Sequence, residues 1–241
     1  MITPEIIRTA DGSDTLYNRE LDQHCHSIFG AVTESRHIFI EAGFLHASEK
    51  ILRTERNPQP ELTILEIGFG TGLNALLTLA EAEKLGIRVH YTAIEPFPVD
   101  ESCWRALNYP AMFGSVDLHQ VFSKLHLAAW GQPESVSDKF TILKLIKKLE
   151  SYIPPAEAFD IIYFDAFDPV AQPELWTQEI FRKLYHALKP GGILVTYSVK
   201  GTIVRALQTA GFKTEKLPGP PGKRHILRAE KEKELSFRVV S

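Results

Sequence analysis

Residues 61–77 read Glu61-Leu62-Thr63-Ile64-Leu65-Glu66-Ile67-Gly68-Phe69-Gly70-Thr71-Gly72-Leu73-Asn74-Ala75-Leu76-Leu77. Leu62–Ile67 is a short apolar run, the pattern of a strand buried on both faces of a parallel sheet. Leu73, Leu76, Leu77 and Ala80 follow at i, i+3, i+4 and i+7, which makes one buried face of a helix. The three glycines between them let the backbone turn tightly and come close to a ligand with no Cβ in the way. Strand, glycine turn and helix form the opening unit of a doubly wound α/β sheet, and such sheets bind ligands at the carboxyl ends of their strands.

The alternation continues outward from this unit. Arg88–Glu95 is a second strand and Val99–Leu107 a helix; Thr141–Ile146 is a middle strand and Asp160–Asp165 another buried one. Trp176, Ile180, Phe181, Leu184 and Leu188 mark a helix, with Pro190-Gly191-Gly192 expected to end it. Ile193–Ser198 is a strand, Thr202–Ala210 a helix stopped by Gly211, and Lys213–Leu217 with His225–Ala229 an antiparallel pair. The expected fold is a Rossmann-like, mostly parallel doubly wound α/β sheet with an antiparallel C-terminal strand. Toward the N-terminus, Asp11-Gly12 and Asn18 are turn signals around short strands, Gly30–Phe44 has a helical pattern, and Asn57-Pro58-Gln59-Pro60 breaks any helix. Residues 1–60 are therefore read as a small lobe and 61–241 as the core.

Bulk properties exclude several classes. With 44% hydrophobic and 24% charged residues the balance is that of a globular chain. No apolar run reaches the roughly 20 residues a bilayer span needs, and MITPEIIRTADGSD lacks a signal peptide's order, so no membrane partner is expected. Only Cys25 and Cys103 occur, which argues for a reducing cytoplasm over a disulfide framework. The net charge of −3 counts against a nucleic-acid binder, yet Lys200 to Arg228 holds seven basic residues against the single acid Glu215. That excess is either a solvated helix face and hairpin or a patch that meets phosphates. His24-Cys25-His26 has no second ligand pair at zinc spacing, so no metal site is read there. Trp176 belongs to an apolar stripe and is read as core.

The chemistry gathers at strand ends. A dinucleotide loop, G-x-G-x-x-G, would have its third glycine where Leu73 stands; here Gly72 comes one position earlier. The E-x-G-x-G-x-G pattern of Glu66, Gly68, Gly70 and Gly72 is that of S-adenosylmethionine methyltransferases. Glu95 ends the second strand, where a carboxylate can accept both ribose hydroxyls of an adenosine or simply face solvent. Asp165-Ala166-Phe167-Asp168-Pro169 opens onto the same crevice. An alkyl amine acceptor resembling lysine, with a pKa of about 10.4, costs roughly 4–5 kcal/mol to deprotonate at neutral pH, and a nearby carboxylate can take or orient that proton. Asp165 is the candidate for this role, Phe167 for a wall against a base, and Pro169 for a stiffener of the loop. The alternative is a helix N-cap acid, which suits Asp168 better than Asp165.

The segments TLYNRELDQHCHSIFGAVTESRHIFIEAGF, LEIGFGTGLNALL, FDAFDPVAQPELWTQEIF, KPGGILVTYSVKG and LPGPPGKRHILRA carry a more specific likeness. Across roughly Asp11 to Ala229 the chain resembles MnmC-type methyltransferases, the methyltransferase half of the bifunctional proteins that build 5-methylaminomethyl-2-thiouridine in tRNA, in a stand-alone form without the FAD-dependent oxidoreductase domain. The resemblance implies S-adenosylmethionine as cofactor, tRNA as substrate, and methylation of the exocyclic amine of 5-aminomethyluridine at the wobble position. A separate enzyme would supply the aminomethyl-tRNA. Glu66, Gly68, Gly70 and Gly72 would line the cofactor and Glu95 would hold its ribose. Asp165 would sit beside the acceptor amine, Glu34-Ser35-Arg36 would cover the site, and Lys223 and Arg224 would face the tRNA. One departure stands out: relatives carry an adenine-contacting Asp after the third strand, whereas this chain has Lys144-Leu145-Ile146-Lys147-Lys148-Leu149, with Glu150 and Asp138 as the nearby acids.

Competing readings are a methyltransferase of a small molecule or a protein, an aminopropyltransferase, which the DAFDP segment disfavours, and a tRNA-binding module without catalysis. Leu73 at the third-glycine position disfavours an NAD dehydrogenase.

Overall fold

A computed structural model describes residues 4–54, 59–113 and 116–233. Asn57 and Pro58, half of the expected helix break, lie outside the described residues, as do residues 1–3 at the N-terminus. Three short antiparallel strands, β1 (Glu5–Arg8), β2 (Asp14–Asn18) and β3 (Gln23–His24), come first, with Asp11-Gly12 in the β1–β2 turn. Helix α1 (Ala31–Ser35) then continues through a wider π-helical stretch, Arg36–Leu45, into α2 (His46–Thr54).

The core runs β4 (Glu61–Ile67), α3 (Leu73–Leu85), β5 (Arg88–Ile94), α4 (Glu101–Arg105), α5 (Tyr109–Met112) and α6 (Val116–Leu127). It continues β6 (Pro133–Ser137), β7 (Phe140–Leu145), β8 (Phe159–Phe164), α7 (Gln178–Ala187), β9 (Leu188–Thr196), α8 (Gly201–Thr209), β10 (Lys213–Pro218) and β11 (His225–Glu230). The sheet order is β10-β11-β9-β8-β4-β5-β7-β6. Strands β9, β8, β4, β5 and β7 are parallel; β11 is antiparallel to β9, and β6 to β7. The expected fold is therefore present, with an antiparallel edge strand, β6, that its polar sequence PESVS does not announce.

Strand periodicity divides the core. Ile64, Tyr91, Ile161, Tyr163 and Val195 face one side, against α3, α6 and the long helix of residues 31–54. Leu65, Ile67, Ile162, Phe164 and Leu194 face the other, against α7 and α8. The N-terminal helix thus lies directly on the sheet: the Phe39 ring packs 5.2 Å from that of Tyr163. Gly43 permits this approach, because a Cβ there would sit 3.1 Å from Val195 Cγ2 and 3.2 Å from the Tyr163 ring.

Two expected boundaries move. Helix α7 begins after Trp176, which follows a short turn of 3₁₀ helix, Pro173–Leu175; Thr177 is the N-cap, accepting from Ile180 N at 3.3 Å. Asp168 is consequently not a helix cap. Pro190-Gly191-Gly192 lies within β9 rather than ending α7, and Gly191 N donates to Lys231 O at 2.7 Å. Trp176 is buried as expected, and its indole N–H donates to Phe167 O at 2.9 Å, tying down the loop after β8.

Because Gly43 is where helix and sheet touch, Gly43→Val is expected to destabilise the fold by about 1–3 kcal/mol through overpacking. Thermal unfolding measures this, and an unchanged Tm would contradict the close packing.

Candidate active site

The order of strands reverses between β4 and β8, and ligand sites of open α/β sheets form at that crossing, beyond the carboxyl ends of the strands. A cavity of about 520 Å³ opens there, within the range of about 300–1,000 Å³ usual for small-molecule sites. Its wall includes Gly68, Gly70 and Asn74 after β4, Glu95 and Phe97 after β5, Lys148 and Glu150 after β7, and Asp165 and Phe167 after β8. Leu16, Asn18, Cys25 and His26 close it from the N-terminal strands.

Each glycine of the motif has a different task. A Cβ at Gly68, whose φ is +90°, would stand 2.8 Å from Asp165 O, so the bare residue lets the loops after β4 and β8 meet. At Gly70 no atom lies within 4 Å of a Cβ position, and the backbone itself borders the cavity. Gly72 caps α3 with φ +74°, and a Cβ there would strike His126 Nε2 at 2.8 Å.

The carboxylates are held by the backbone and by Asn74. Glu95 accepts from Gly70 N at 3.1 Å on one oxygen and from Phe97 N at 2.9 Å on the other. Its burial raises the carboxyl above the ordinary range, and these two donors lower it again. Each oxygen keeps a lone pair for a further donor, which suits a vicinal pair of ribose hydroxyls. Asp165 accepts from Asn74 Nδ2 at 2.9 Å on Oδ2. Burial pushes its carboxyl up to about 7, with the Asn74 bond opposing.

Of the sequence-predicted site residues, Gly68, Gly70, Glu95, Asp165 and Phe167 lie on the cavity wall. Glu66, Gly72, Glu34 and Pro169 do not. Glu66 is wholly buried behind Asn74, which donates to it at 3.0 Å. Glu34 accepts from Ser27 N at 2.7 Å and pairs with Lys223 at 3.0 Å, while Arg36 pairs with Glu81 at 3.1 Å. Lys223 also lies 5.1 Å from the centre of the Tyr197 ring, so its charge is engaged within the fold, whereas Arg224 is exposed beside it. Together with Asp168, Lys200 and His225, these two line a shallower second cleft.

At the departure after β7, Lys148 stands on the cavity wall and Lys147 does not, while Lys144, within β7, turns away from the cavity. Its ammonium donates to His126 O at 2.6 Å and lies over the Trp130 and Phe69 rings at 4.7 and 5.3 Å; burial lowers it to about 8. Glu150 is on the cavity wall and Asp138 is not. Asn74 and Phe97 are wall residues that sequence patterns left unmarked, and His26, read there without a role, is also on the wall. His26, buried to 8% exposure, has its pKa lowered to about 4 by that burial.

Burial pushes the Asp165 carboxyl up to about 7 in the fold from its ordinary 3.8. Its contribution to stability is therefore complete below about pH 4 and is lost as pH rises through 7. With part of that cost screened by water in the cavity, Asp165→Asn is expected to raise Tm at pH 8 by roughly 2–4 °C, equivalent to about 1 kcal/mol at this size, with no gain at pH 4. A pH series of thermal melts decides it, and a gain that does not vary with pH would contradict the raised carboxyl.

A family model described as S-adenosyl-L-methionine-dependent methyltransferase matches residues 135–232. The tRNA 5-methylaminomethyl-2-thiouridine biosynthesis bifunctional protein MnmC of Magnetococcus marinus is 31% identical over 95% of this chain and 35% of its own length. That of Pseudomonas entomophila is 30% identical over 84% of this chain and 31% of its own. The chain thus spans about a third of the length of these curated relatives. The crystal structure of MNMC2 from Aquifex aeolicus superposes with a TM-score of 0.75 at 23% identity, covering 97% of this chain and 71% of that one, a likeness of fold. Glycine turn and strand-end carboxylates agree with these likenesses: residues 135–232 match the model of S-adenosyl-L-methionine-dependent methyltransferases, and the chain is similar along most of its length to about a third of the MnmC proteins.

Proposed function

We propose that the chain methylates the exocyclic amine of 5-aminomethyluridine at the wobble position of tRNA, with S-adenosylmethionine as donor. One observation carries the reading: a carboxylate raised to about 7, Asp165, stands on the wall of the same cavity as the ribose-type acid Glu95 and the bare backbone of Gly68 and Gly70. The names of the relatives, which refer to 5-methylaminomethyl-2-thiouridine in tRNA, support the choice of acceptor.

The donor, when bound, supplies a methyl group on a sulfonium, which leaves without acid catalysis. The residues of the chain hold it and prepare the acceptor. Glu95 would take the ribose hydroxyls, the Gly68–Gly70 backbone would border the donor, and Glu150 is the acid available on the adenine side. The N-terminal strands, through Leu16, Cys25 and His26, would cover the site. Asp165 would accept a hydrogen bond from the acceptor amine and take up its proton. A base near 7 is better matched to this at neutral pH than an ordinary aspartate. Phe167, half-buried beside it, would wall the uracil ring. Arg224 would meet phosphate, and Lys223 would secure its loop against Glu34. At the departure after β7, Lys148 stands on the cavity wall with Glu150 beside it, so a basic residue borders the donor's space where relatives carry an acid.

Transfer of labelled methyl to tRNA carrying 5-aminomethyluridine, with tRNA lacking that group as control, tests the reading. Label is expected on the first alone; label on both, or on neither while the donor still binds, would contradict it. Asp165→Asn is expected to lower kcat by about 10²–10⁴-fold, the usual worth of a positioned acid or base, while leaving donor binding in place. Arg224→Gln is expected to reduce the salt dependence of tRNA binding by about 0.9 in log–log slope, one phosphate contact, as read from binding isotherms; an unchanged slope would remove Arg224 from the interface.

A further inference from the structure

Asn74 spends both hydrogens of one amide nitrogen on acids. Its Nδ2 lies 3.0 Å from Glu66 Oε1 and 2.9 Å from Asp165 Oδ2. Asn74 is 2% exposed and Glu66 wholly buried; Asn74 Oδ1 and Glu66 Oε2 have no hydrogen-bond partner among the described residues. Turning the amide over would set its carbonyl against two acid oxygens, so the two bonds fix its orientation. Asn74 and Asp165 line the cavity, whereas Glu66 stands behind them.

We propose that Asn74 is a positioning residue of the acceptor site: it ties Asp165 Oδ2 to the buried Glu66 and leaves Oδ1 presented to the acceptor. The inference rests on the proposed role of Asp165 and adds the device that aims it.

Two carboxyls that share one donor cannot both ionise cheaply. Burial pushes Glu66 well above its ordinary range, raises the Tyr91 phenol behind it, and pushes Asp165 up to about 7. Other groups act on Asp165 from the elements around it. Glu34 of the N-terminal helix raises it, Lys223 of the β10–β11 loop lowers it, and Tyr197 after β9, Cys25 after β3 and Glu95 after β5 complete the surroundings. Among these, Asn74 supplies the hydrogen bond, and its loss should raise the carboxyl further.

Asn74→Leu removes both donated hydrogens, and Asn74→Ser, small enough for the buried position, can supply only one. In the methyl-transfer assay Asn74→Leu is expected to lower kcat by about 10–100-fold and to move the rising limb of the pH profile up by about one unit, since a lost hydrogen bond no longer favours the charged form. The Kd for S-adenosylmethionine, from calorimetry, should stay within about threefold, the scatter of a site whose binding contacts are kept. Asn74→Ser should fall between Leu and wild type. Weakened donor binding with an unmoved limb would make Asn74 merely structural and overturn the proposal. Carbon-NMR titration of the Asp165 carboxyl in the ligand-free protein separates this inference from the substrate assignment and needs only Asn74→Ser if the leucine variant does not fold. Titration near 7 in the wild type and higher in Asn74→Ser supports the clamp even when no RNA is methylated; equal midpoints overturn it even when RNA is methylated.

Discussion

A carboxylate withdrawn from water must be given donors or a proton, and three acids at the ends of adjacent strands set the terms for this site. Glu66, Glu95 and Asp165 close β4, β5 and β8 around one crossing of the sheet. Each meets the requirement differently. Glu95 takes two backbone N–H groups, which are in reach because the glycine turn folds Gly70 over it. Glu66 is buried outright, accepts from Asn74, and is pushed well above its ordinary range by that burial. Asp165 is pushed up to about 7 by burial, with one side-chain donor, Asn74, opposing that rise. The glycines serve the same arrangement: with any side chain at Gly68, the loop after β8 could not come close enough to share Asn74 with the loop after β4.

The outer parts of the molecule hold this floor in place. The long N-terminal helix lies on one face of the sheet through Phe39 and Gly43, and its first turn offers Glu34 to Lys223 of the β10–β11 loop. That loop also packs on the N-terminal segment, since a Cβ at Gly222 would strike the Phe29 ring. Trp176 fixes the loop after β8 from below through Phe167 O, and the Tyr197 hydroxyl does so through Ala166 O at 2.9 Å. Loop, helix and acid therefore behave as one unit, and the basic C-terminal stretch is partly spent on internal pairing.

What was legible in the chain was local. LTILEI, DIIYFD and ILVTYS are apolar runs whose burial on both faces leaves a plain signal, and the glycine turn with Glu95 and Asp165 at strand ends marks the crevice. Elements defined by partners far along the chain were not legible. β6 is a polar edge strand that exists through its pairing with β7. Asn74 is a single polar residue on an apolar helix, and its partner Asp165 is 91 positions away. Lys223 reads as a free basic residue until its pairing with Glu34 is seen. The His24-Cys25-His26 run shows the same limit: a strand end sends Cys25 and His26 to the cavity wall while His24 is exposed, an outcome of packing rather than of composition.

The central claim is that the backbone at Gly70 borders the space that S-adenosylmethionine occupies. Calorimetric titration of S-adenosylmethionine into wild type and Gly70→Leu tests it most directly, because no atom lies within 4 Å of a Cβ there, and the φ of +48° costs a leucine only about 1–2 kcal/mol of backbone strain. The expected result is measurable binding by the wild type and its loss in Gly70→Leu, with an unchanged circular dichroism spectrum. Equal affinity in both proteins would place the donor elsewhere and contradict the account.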